Sequence, residues 1–259
     1  AIYIATPPGS HARYALRAAE LGKPVYVEKP MARTWTECQE MVQAFEKEDL
    51  PLFVAYYRRA LPMFLHIREQ IRQGAIGTVR SVRIVMTKPL QPDLIARSET
   101  NWRVLPEIAG GGYFFDLAAH QLDYLDFLFG PIVEAGGMAT NQAGQYPAED
   151  IVSGYFRHES GVLGQGLWCF SGPEGAEQEE TIITGSQGEI RYSTFGARRY
   201  RLYQSGRGWQ DITTDPPPAH IQAPLIAQVI ATLRGEGICP STGKSAARTS
   251  WVMEQMVYG

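Results

Sequence analysis

Short apolar runs alternate with amphipathic segments over the first 55 residues, and this alternation restricts the possible folds more than any other feature of the sequence. The runs at residues 2–5, 25–28 and 52–55 predict three short strands, the first of them buried, and each interval between them predicts a helix. Strands and helices that alternate at this spacing form a parallel sheet with right-handed crossovers. Residues 1–58 are therefore predicted to be the C-terminal half of a Rossmann domain, in an α/β fold.

Capping residues mark the ends of both predicted helices. Ser10 can act as the N-cap of the first helix, and Gly22 can terminate that helix. Thr34 and Glu37 have the spacing of a capping box at the start of the second helix.

Residues 59–259 have a different pattern and are predicted to form an α+β domain with an open antiparallel sheet, which would bind substrate and mediate oligomerisation. β-rich stretches separated by glycine-containing turns fill residues 131–213, and a further strand is predicted at 79–87. Helices are predicted at about 62–73, 113–129, 220–234 and 242–257. A long loop is expected between the strand at 79–87 and the glycines at 110–112.

Composition excludes several classes of protein. The net charge is −3 and the basic residues are scattered, so no nucleic-acid partner is expected. No run of apolar residues is long enough to predict a membrane span. Cys38, Cys169 and Cys239 are far apart in sequence, which argues against a disulfide framework and a cysteine metal site and predicts a reducing, cytoplasmic compartment.

Glu28, Lys29 and Pro30 follow the second predicted strand and form the first candidate site. Ligands of open α/β sheets bind at the carboxyl ends of the strands, where the ammonium of Lys29 could enter the crevice. The alternative is a surface lysine without a function.

Asp116, His120 and Asp123 form the second candidate site, because their spacing places them on one face of a largely apolar helix. Polar groups in such a place need partners or a pocket, and a histidine beside a carboxylate is suited to act as a general base near neutral pH. The alternatives are an internal salt bridge and a metal site. No metal is expected, since no further cluster of ligands is evident.

Two further pairs of residues are weaker candidates. Trp102 and Arg103 lie in the long loop, where arginine suits phosphate or carboxamide groups and tryptophan suits stacking. Arg58 and Arg59 follow the third predicted strand, and adjacent arginines are expected to be solvated.

Together these segments resemble the glucose–fructose oxidoreductase/inositol dehydrogenase (Gfo/Idh/MocA) family. The most specific segments are GKPVYVEKPMA at 22–32 and GGGYFFDLAAHQLD at 110–123, and they occur in the family's order and spacing. Looser matches are AIYIATPPGSH at 1–11, YYRRALP at 56–62, GAIGTV at 74–79 and the pair at 102–103.

The resemblance implies a Rossmann domain that binds NAD or NADP and a second domain with an open antiparallel sheet. It implies a proton-handling pair, Asp116 and His120, beside Lys29. It also assigns a set of residues to the cofactor: Thr6, Pro7, His11, Glu28, Lys29, Pro30, Arg59, Trp102 and Arg103. The family's glycine-rich GxGxxG turn would lie upstream of residue 1, so we expect the first βαβα unit, with its pyrophosphate site, to be missing from this chain and to precede it in a longer polypeptide.

The resulting hypothesis is an NAD(P)-dependent oxidoreductase that exchanges a hydride with a sugar, a polyol or a related secondary alcohol or carbonyl. His120 would accept the hydroxyl proton, Asp116 would orient the imidazole, and Lys29 would stabilise negative charge on the reacting oxygen. The alternatives are a redox-assisted glycoside lyase or hydrolase of the same fold, and a non-catalytic sugar-binding or assembly module that lacks the cofactor site.

Self-association is predicted from the strand at 162–170. Both of its faces are largely apolar, and the helices of the second domain are too few to cover both faces of a sheet. An uncovered apolar face commonly forms a subunit interface, so a homodimer or homotetramer that pairs through the antiparallel sheet is expected.

Overall fold

The computed structural model describes residues 1–92, 94–95 and 101–259. The first part of the chain forms a three-stranded parallel sheet in the order β1-β2-β3, with a helix in each crossover, as predicted. Its elements are β1 (Ile2–Ile4), α1 (His11–Glu20), β2 (Val25–Val27), α2 (Trp35–Lys47) and β3 (Leu52–Val54).

Two local predictions for this part are wrong. Ile2 and Tyr3 are 39% and 53% exposed, whereas β2 and β3 are buried throughout. β1 and β3 are both edge strands, but residues 241–242 pair with the outer edge of β3. Ser10 does not cap α1: its hydroxyl donates to Thr6 Oγ1 at 2.7 Å and contacts Pro7 O at 3.1 Å, in a 3₁₀ turn that precedes the helix.

The start of α2 follows the prediction more closely. The hydroxyl oxygen of Thr34 accepts from the backbone N–H of Glu37 at 3.2 Å, as an N-cap should. The Glu37 carboxylate accepts from the backbone N–H of Arg33 at 3.0 Å, one residue earlier than in a reciprocal capping box.

The rest of the chain forms an eight-stranded sheet and five helices within the described residues. The strands, in the order β11-β10-β9-β8-β4-β7-β6-β5, are β4 (Val79–Thr87), β5 (Ile132–Thr140), β6 (Ile151–His158), β7 (Leu163–Cys169), β8 (Gln178–Gly185), β9 (Gly188–Tyr192), β10 (Arg199–Gln204) and β11 (Gly208–Thr213). The helices are α3 (Pro62–Arg72), α4 (Pro106–Ala109), α5 (Tyr113–Phe129), α6 (Ala223–Leu233) and α7 (Gly243–Tyr258). Part of the loop predicted between β4 and residue 110, namely residues 93 and 96–100, lies outside the described residues.

The sheet is mostly antiparallel, as predicted, with one exception. β4 lies between β7 and β8, and it pairs with β7 in parallel and with β8 in antiparallel orientation. The sequence did not indicate this parallel pair, because the partner of a strand is set by long-range packing that a local pattern does not encode.

One face of the large sheet is covered and the other is open. α5 and α7 pack against the covered face, and α7 also contacts α2, so the terminal helix joins the two sheets. Along β7, Gly164, Gly166 and Trp168 are buried, whereas Leu163 and Leu167 are 56% and 42% exposed. The strand is therefore not covered on both sides within the described part of the chain.

A buried ion pair fixes α5 to the turn that follows β3. The guanidinium of Arg59 donates to both carboxylate oxygens of Asp123, at 2.6 and 2.8 Å, and to Pro240 O at 2.7 Å. Arg59 and Asp123 are 3% and 1% exposed, so the expectation of solvated arginines is wrong here. Because its donors are engaged inside the protein, Arg59 has no geometric support as a cofactor-binding residue.

Asp123→Asn should lower the free energy of unfolding by about 3–5 kcal/mol, since it leaves a guanidinium buried beside a neutral amide. The matched control is Glu20→Gln, which removes the exposed partner of Arg17 on α1 and should cost less than about 1 kcal/mol. Urea unfolding measures both changes, and similar costs for the two variants would contradict a structural role for the buried pair.

Candidate active site

Helix α5 starts close to the backbone that follows β2, and its glycines permit this approach. Gly110 has a φ of 87°, and a Cβ atom there would lie 2.2 Å from the carbonyl oxygen of Arg33. The backbone N–H of Gly112 donates to Glu149 Oε1 at 2.8 Å, which satisfies one group at the start of the helix. The first turns of α5 are thereby held against the carboxyl ends of the parallel strands.

Lys29 and Asp116 meet at this junction. The ammonium of Lys29 forms an ion pair with the Asp116 carboxylate and donates to the Asp116 carbonyl oxygen at 2.9 Å. Arg103 Nε lies 3.2 Å from the other carboxylate oxygen. Burial raises the pKa of Asp116, but Lys29 and Arg103 outweigh it and hold the pKa below its usual value, so the carboxylate is ionised.

His120 lies one turn further along α5, in an apolar setting. The imidazole is 4% exposed, with the rings of Tyr57 and Phe195 at centroid distances of 5.3 and 5.9 Å and Tyr56 at 6.2 Å. Burial, followed by the charges of Arg58 and Lys29, lowers its pKa well below the usual value. The imidazole is therefore neutral at neutral pH.

The predicted contact between Asp116 and His120 is not among the hydrogen bonds of the described residues. The carboxylate of Asp116 is occupied by Lys29 and Arg103, and His120 Nδ1 has no hydrogen-bond partner there. The expectation that Asp116 orients the imidazole is wrong in this geometry, because two cations compete for the same carboxylate. The aromatic rings hold the imidazole instead.

Some of the residues assigned to the cofactor by resemblance are exposed, and others contact groups inside the protein. Thr6 and Pro7 are exposed at the carboxyl end of β1. His11 is fully buried, with Nε2 2.6 Å from Thr6 O and Nδ1 3.1 Å from Pro30 O. The ring of His11 thus ties the turn after β1 to the turn after β2, and it supports a ligand site without facing it.

Glu28 also forms hydrogen bonds within the protein. Its Oε1 accepts from the Tyr3 hydroxyl at 2.5 Å and from Gln222 Nε2 at 2.7 Å. Gln222 Oε1 accepts in turn from the Tyr26 hydroxyl at 2.9 Å, which connects the segment before α6 to β2.

Trp102 and Arg103 lie together in a 3₁₀ turn beside α5. The Arg103 guanidinium lies 4.2 Å from the centre of the Trp102 ring, while its Nε faces Asp116. The structure therefore brings Arg103, Lys29 and Asp116 into one cluster, with His120 close by.

The sequence interpretation missed Phe195 and Glu179, and it treated Arg58 as a weak candidate that was expected to be solvated. Arg58 is 6% exposed and lies between the rings of Tyr57 and Phe195, at 5.0 and 4.5 Å from their centres. No local pattern indicated that these residues lie together, since 120 or more positions separate Arg58 from the other two in the sequence. The described residues contain no group of three or more His, Cys, Asp or Glu side chains that could hold a metal ion.

Comparison with known proteins identifies the family of this chain. The family pattern described as the NAD-binding Rossmann fold of the oxidoreductase family matches residues 1–56, and the GFO/IDH/MocA C-terminal domain matches residues 64–191. Oxidoreductase P35 of Formosa agariphila is 36% identical over 256 residues, which cover 98% of this chain and 77% of that protein. A levoglucosan dehydrogenase of Pseudarthrobacter phenanthrenivorans is 36% identical over 127 residues, 49% of this chain and 32% of that protein.

Solved structures have the same fold. A levoglucosan dehydrogenase in complex with NADH and levoglucosan superposes with a TM-score of 0.85 at 22% identity, covering 98% of this chain and 76% of that one. An NAD-binding oxidoreductase from Klebsiella pneumoniae gives a TM-score of 0.85 at 20% identity, with the same coverage. Since two family patterns and a relative aligned over nearly the whole chain agree with the fold, this chain belongs to the GFO/IDH/MocA oxidoreductase family, whose N-terminal part is an NAD-binding Rossmann fold.

Proposed function

We propose that the chain carries the reaction centre of an NAD(P)-dependent oxidoreductase that transfers a hydride between the cofactor and a sugar, a polyol or a related compound. The observation that carries the proposal is the cluster at the carboxyl ends of the parallel strands: the ammonium of Lys29, held by Asp116, beside the buried neutral imidazole of His120. The names of the sugar dehydrogenases among the relatives support the substrate class.

A nicotinamide cofactor fits the residues at this edge of the sheet. Thr6 and Pro7 are exposed where β1 ends, and Trp102 and Arg103 are partly exposed beside α5. These four residues would hold the cofactor, in line with the rule that ligands of open α/β sheets bind outside the carboxyl ends of the strands. When bound, the cofactor supplies the hydride chemistry.

Lys29 acts on the reacting oxygen of the substrate. Its ammonium donates a hydrogen bond that stabilises the negative charge developing on that oxygen in either direction of the reaction. Asp116 holds this ammonium in place, with Arg103 on the other carboxylate oxygen.

His120 accepts the hydroxyl proton during oxidation and returns it during reduction. Burial, Arg58 and Lys29 lower its pKa, so the proton-accepting form is present throughout the neutral range. That form is lost only when the pH falls below the lowered pKa.

His120→Ala should reduce turnover by roughly 10²–10⁴-fold, the usual effect of losing a general base. The assay follows NAD(P)H absorbance in the full-length protein with a panel of sugars and polyols, and cofactor affinity should change little. His220→Ala is the matched control, because this exposed histidine lies outside the site. Near-normal turnover of the His120 variant would remove it from the mechanism.

A double-mutant cycle tests the function of Asp116. If Asp116 acts by holding Lys29, Asp116→Asn should lower kcat in the wild-type background and change it little in a Lys29→Gln background. Lys29→Gln itself should lower kcat by about 10²–10³-fold, the scale of a lost oxyanion donor. Losses that simply multiply would show that the two residues act independently.

The protein also self-associates in this proposal, as a homodimer or homotetramer, through the open face of the eight-stranded sheet. Large apolar side chains are exposed on that face: Met138 (77%), Tyr155 (55%), Leu163 (56%) and Leu167 (42%). A contiguous patch of this kind favours a subunit interface, and two-fold pairing is the commonest arrangement.

Leu163→Arg should convert the assembly to monomers, because it replaces an exposed apolar side chain of the proposed interface with a charge. Ile238→Arg is the control, since Ile238 is 89% exposed but lies outside the sheet. Light scattering at micromolar concentration measures the mass of each variant. A monomeric wild-type protein would rule out the interface.

We further propose a reducing, cytoplasmic compartment, which the three free cysteines Cys38, Cys169 and Cys239 support. None of the helices in the described residues is long and apolar enough to cross a membrane.

A further inference from the structure

Glu179, at the start of β8, connects α5 to the turn that follows β9. Its Oε1 accepts from Gln121 Nε2 at 2.8 Å and from the backbone N–H of Thr194 at 3.1 Å. Its Oε2 accepts from the Ser193 hydroxyl and from the backbone N–H of Phe195 at 3.3 Å. Each oxygen receives two donors, which is the full capacity of an ionised carboxylate.

Gln121 fixes the α5 side of this connection. It is fully buried and directly follows His120 in the helix. Its Oε1 accepts from Trp168 Nε1 at 2.7 Å, so its amide group must point its N–H donors at Glu179. An amide at position 179 would turn an NH₂ group towards these donors, and the connection therefore requires a carboxylate.

The Ser193–Phe195 turn also contacts the imidazole of His120 and the guanidinium of Arg58. The Phe195 ring packs edge-on against the imidazole at a centroid distance of 5.9 Å, and it carries the Arg58 guanidinium at 4.5 Å. Arg58 Nε also donates to the Thr194 carbonyl oxygen at 3.0 Å. The turn thus positions both the Phe195 ring, which shields the imidazole, and the Arg58 guanidinium.

We propose that Glu179 is a positioning residue, which holds the Ser193–Phe195 turn, and through it Phe195 and Arg58, against the imidazole of His120. The inference rests on the proposed function of His120 as proton acceptor. Without the carboxylate, the turn loses its acceptors, and water can reach the ring that Phe195 now covers.

The consequence is a change in the pKa of His120. Burial and Arg58 are the two largest causes of its lowered pKa, and both depend on the turn. The other charged or titratable groups at the imidazole are Lys29, Tyr56 and Tyr57, and they lie on elements that the substitution leaves in place. Loss of the turn should therefore raise the pKa of His120 towards the value of about 6.5 for a free imidazole.

The test compares Glu179→Gln with Glu180→Gln in the full-length protein. Glu180 is the next residue of β8, so its side chain points to the opposite face of the sheet. NMR follows the titration of the imidazole, which is assigned by its loss in His120→Asn. The midpoint should rise towards about 6.5 in the Glu179 variant and stay low in the Glu180 variant. At about pH 5.5, roughly a tenth of the His120 side chains of the Glu179 variant would then be neutral.

The acid limb of kcat/KM should move with the NMR midpoint, whereas a merely structural role would lower the amount of folded protein and leave the limb in place. Ser193→Ala, which removes one of the four donors, should give a smaller shift in the same direction and serves if Glu179→Gln does not fold. An unchanged midpoint in the folded variants overturns the inference. The NMR readout needs no turnover, so absence of NAD(P)H-linked activity would count against the proposed function alone.

Discussion

The ion pair between Lys29 and Asp116 is the constraint on which the rest of the site depends. It joins the carboxyl end of β2 to the first turns of α5, and its members are only 14% and 18% exposed. Charges removed from water to this extent need close partners, so the helix cannot move away from the strand without leaving both uncompensated. The close approach permitted at Gly110 and the contact from Arg103 serve the same junction.

A second ion pair, Arg59 with Asp123, fixes α5 two turns further on, and His120 lies between the two pairs. The two carboxylates on this face of α5, Asp116 and Asp123, are thereby paired with cations, and the imidazole is left among aromatic rings. Burial, and then the charges of Arg58 and Lys29, lower the pKa of His120, which keeps the base neutral. In the proposed mechanism, the ammonium that stabilises the substrate oxygen thus also prepares the group that accepts the substrate proton.

Local patterns predicted the elements well and their partners poorly. The bounds of β4 and α5 agree with the sequence prediction to the residue, because each has a strong period and clear ends. The spacing of Asp116 and His120 showed correctly that they share a helix face, but it could not show that Lys29, 87 positions earlier, takes the carboxylate. The burial of Arg58 and Arg59 was missed for the same reason, since their partners Thr194 and Asp123 are distant in sequence.

The family resemblance identified candidate residues for the site, and the structure separates those that support the site from those exposed to a ligand. His11 has both ring nitrogens on backbone oxygens, and Glu28 is held by Tyr3 and Gln222. These residues shape the edge of the sheet from within. A substitution there should act through the position of the turns after β1 and β2, whereas in the proposed mechanism a substitution at Lys29 or His120 removes a group that meets the substrate. The same distinction separates Glu179 from His120 in the proposed mechanism: Glu179 positions the turn that covers the imidazole, and His120 transfers the proton.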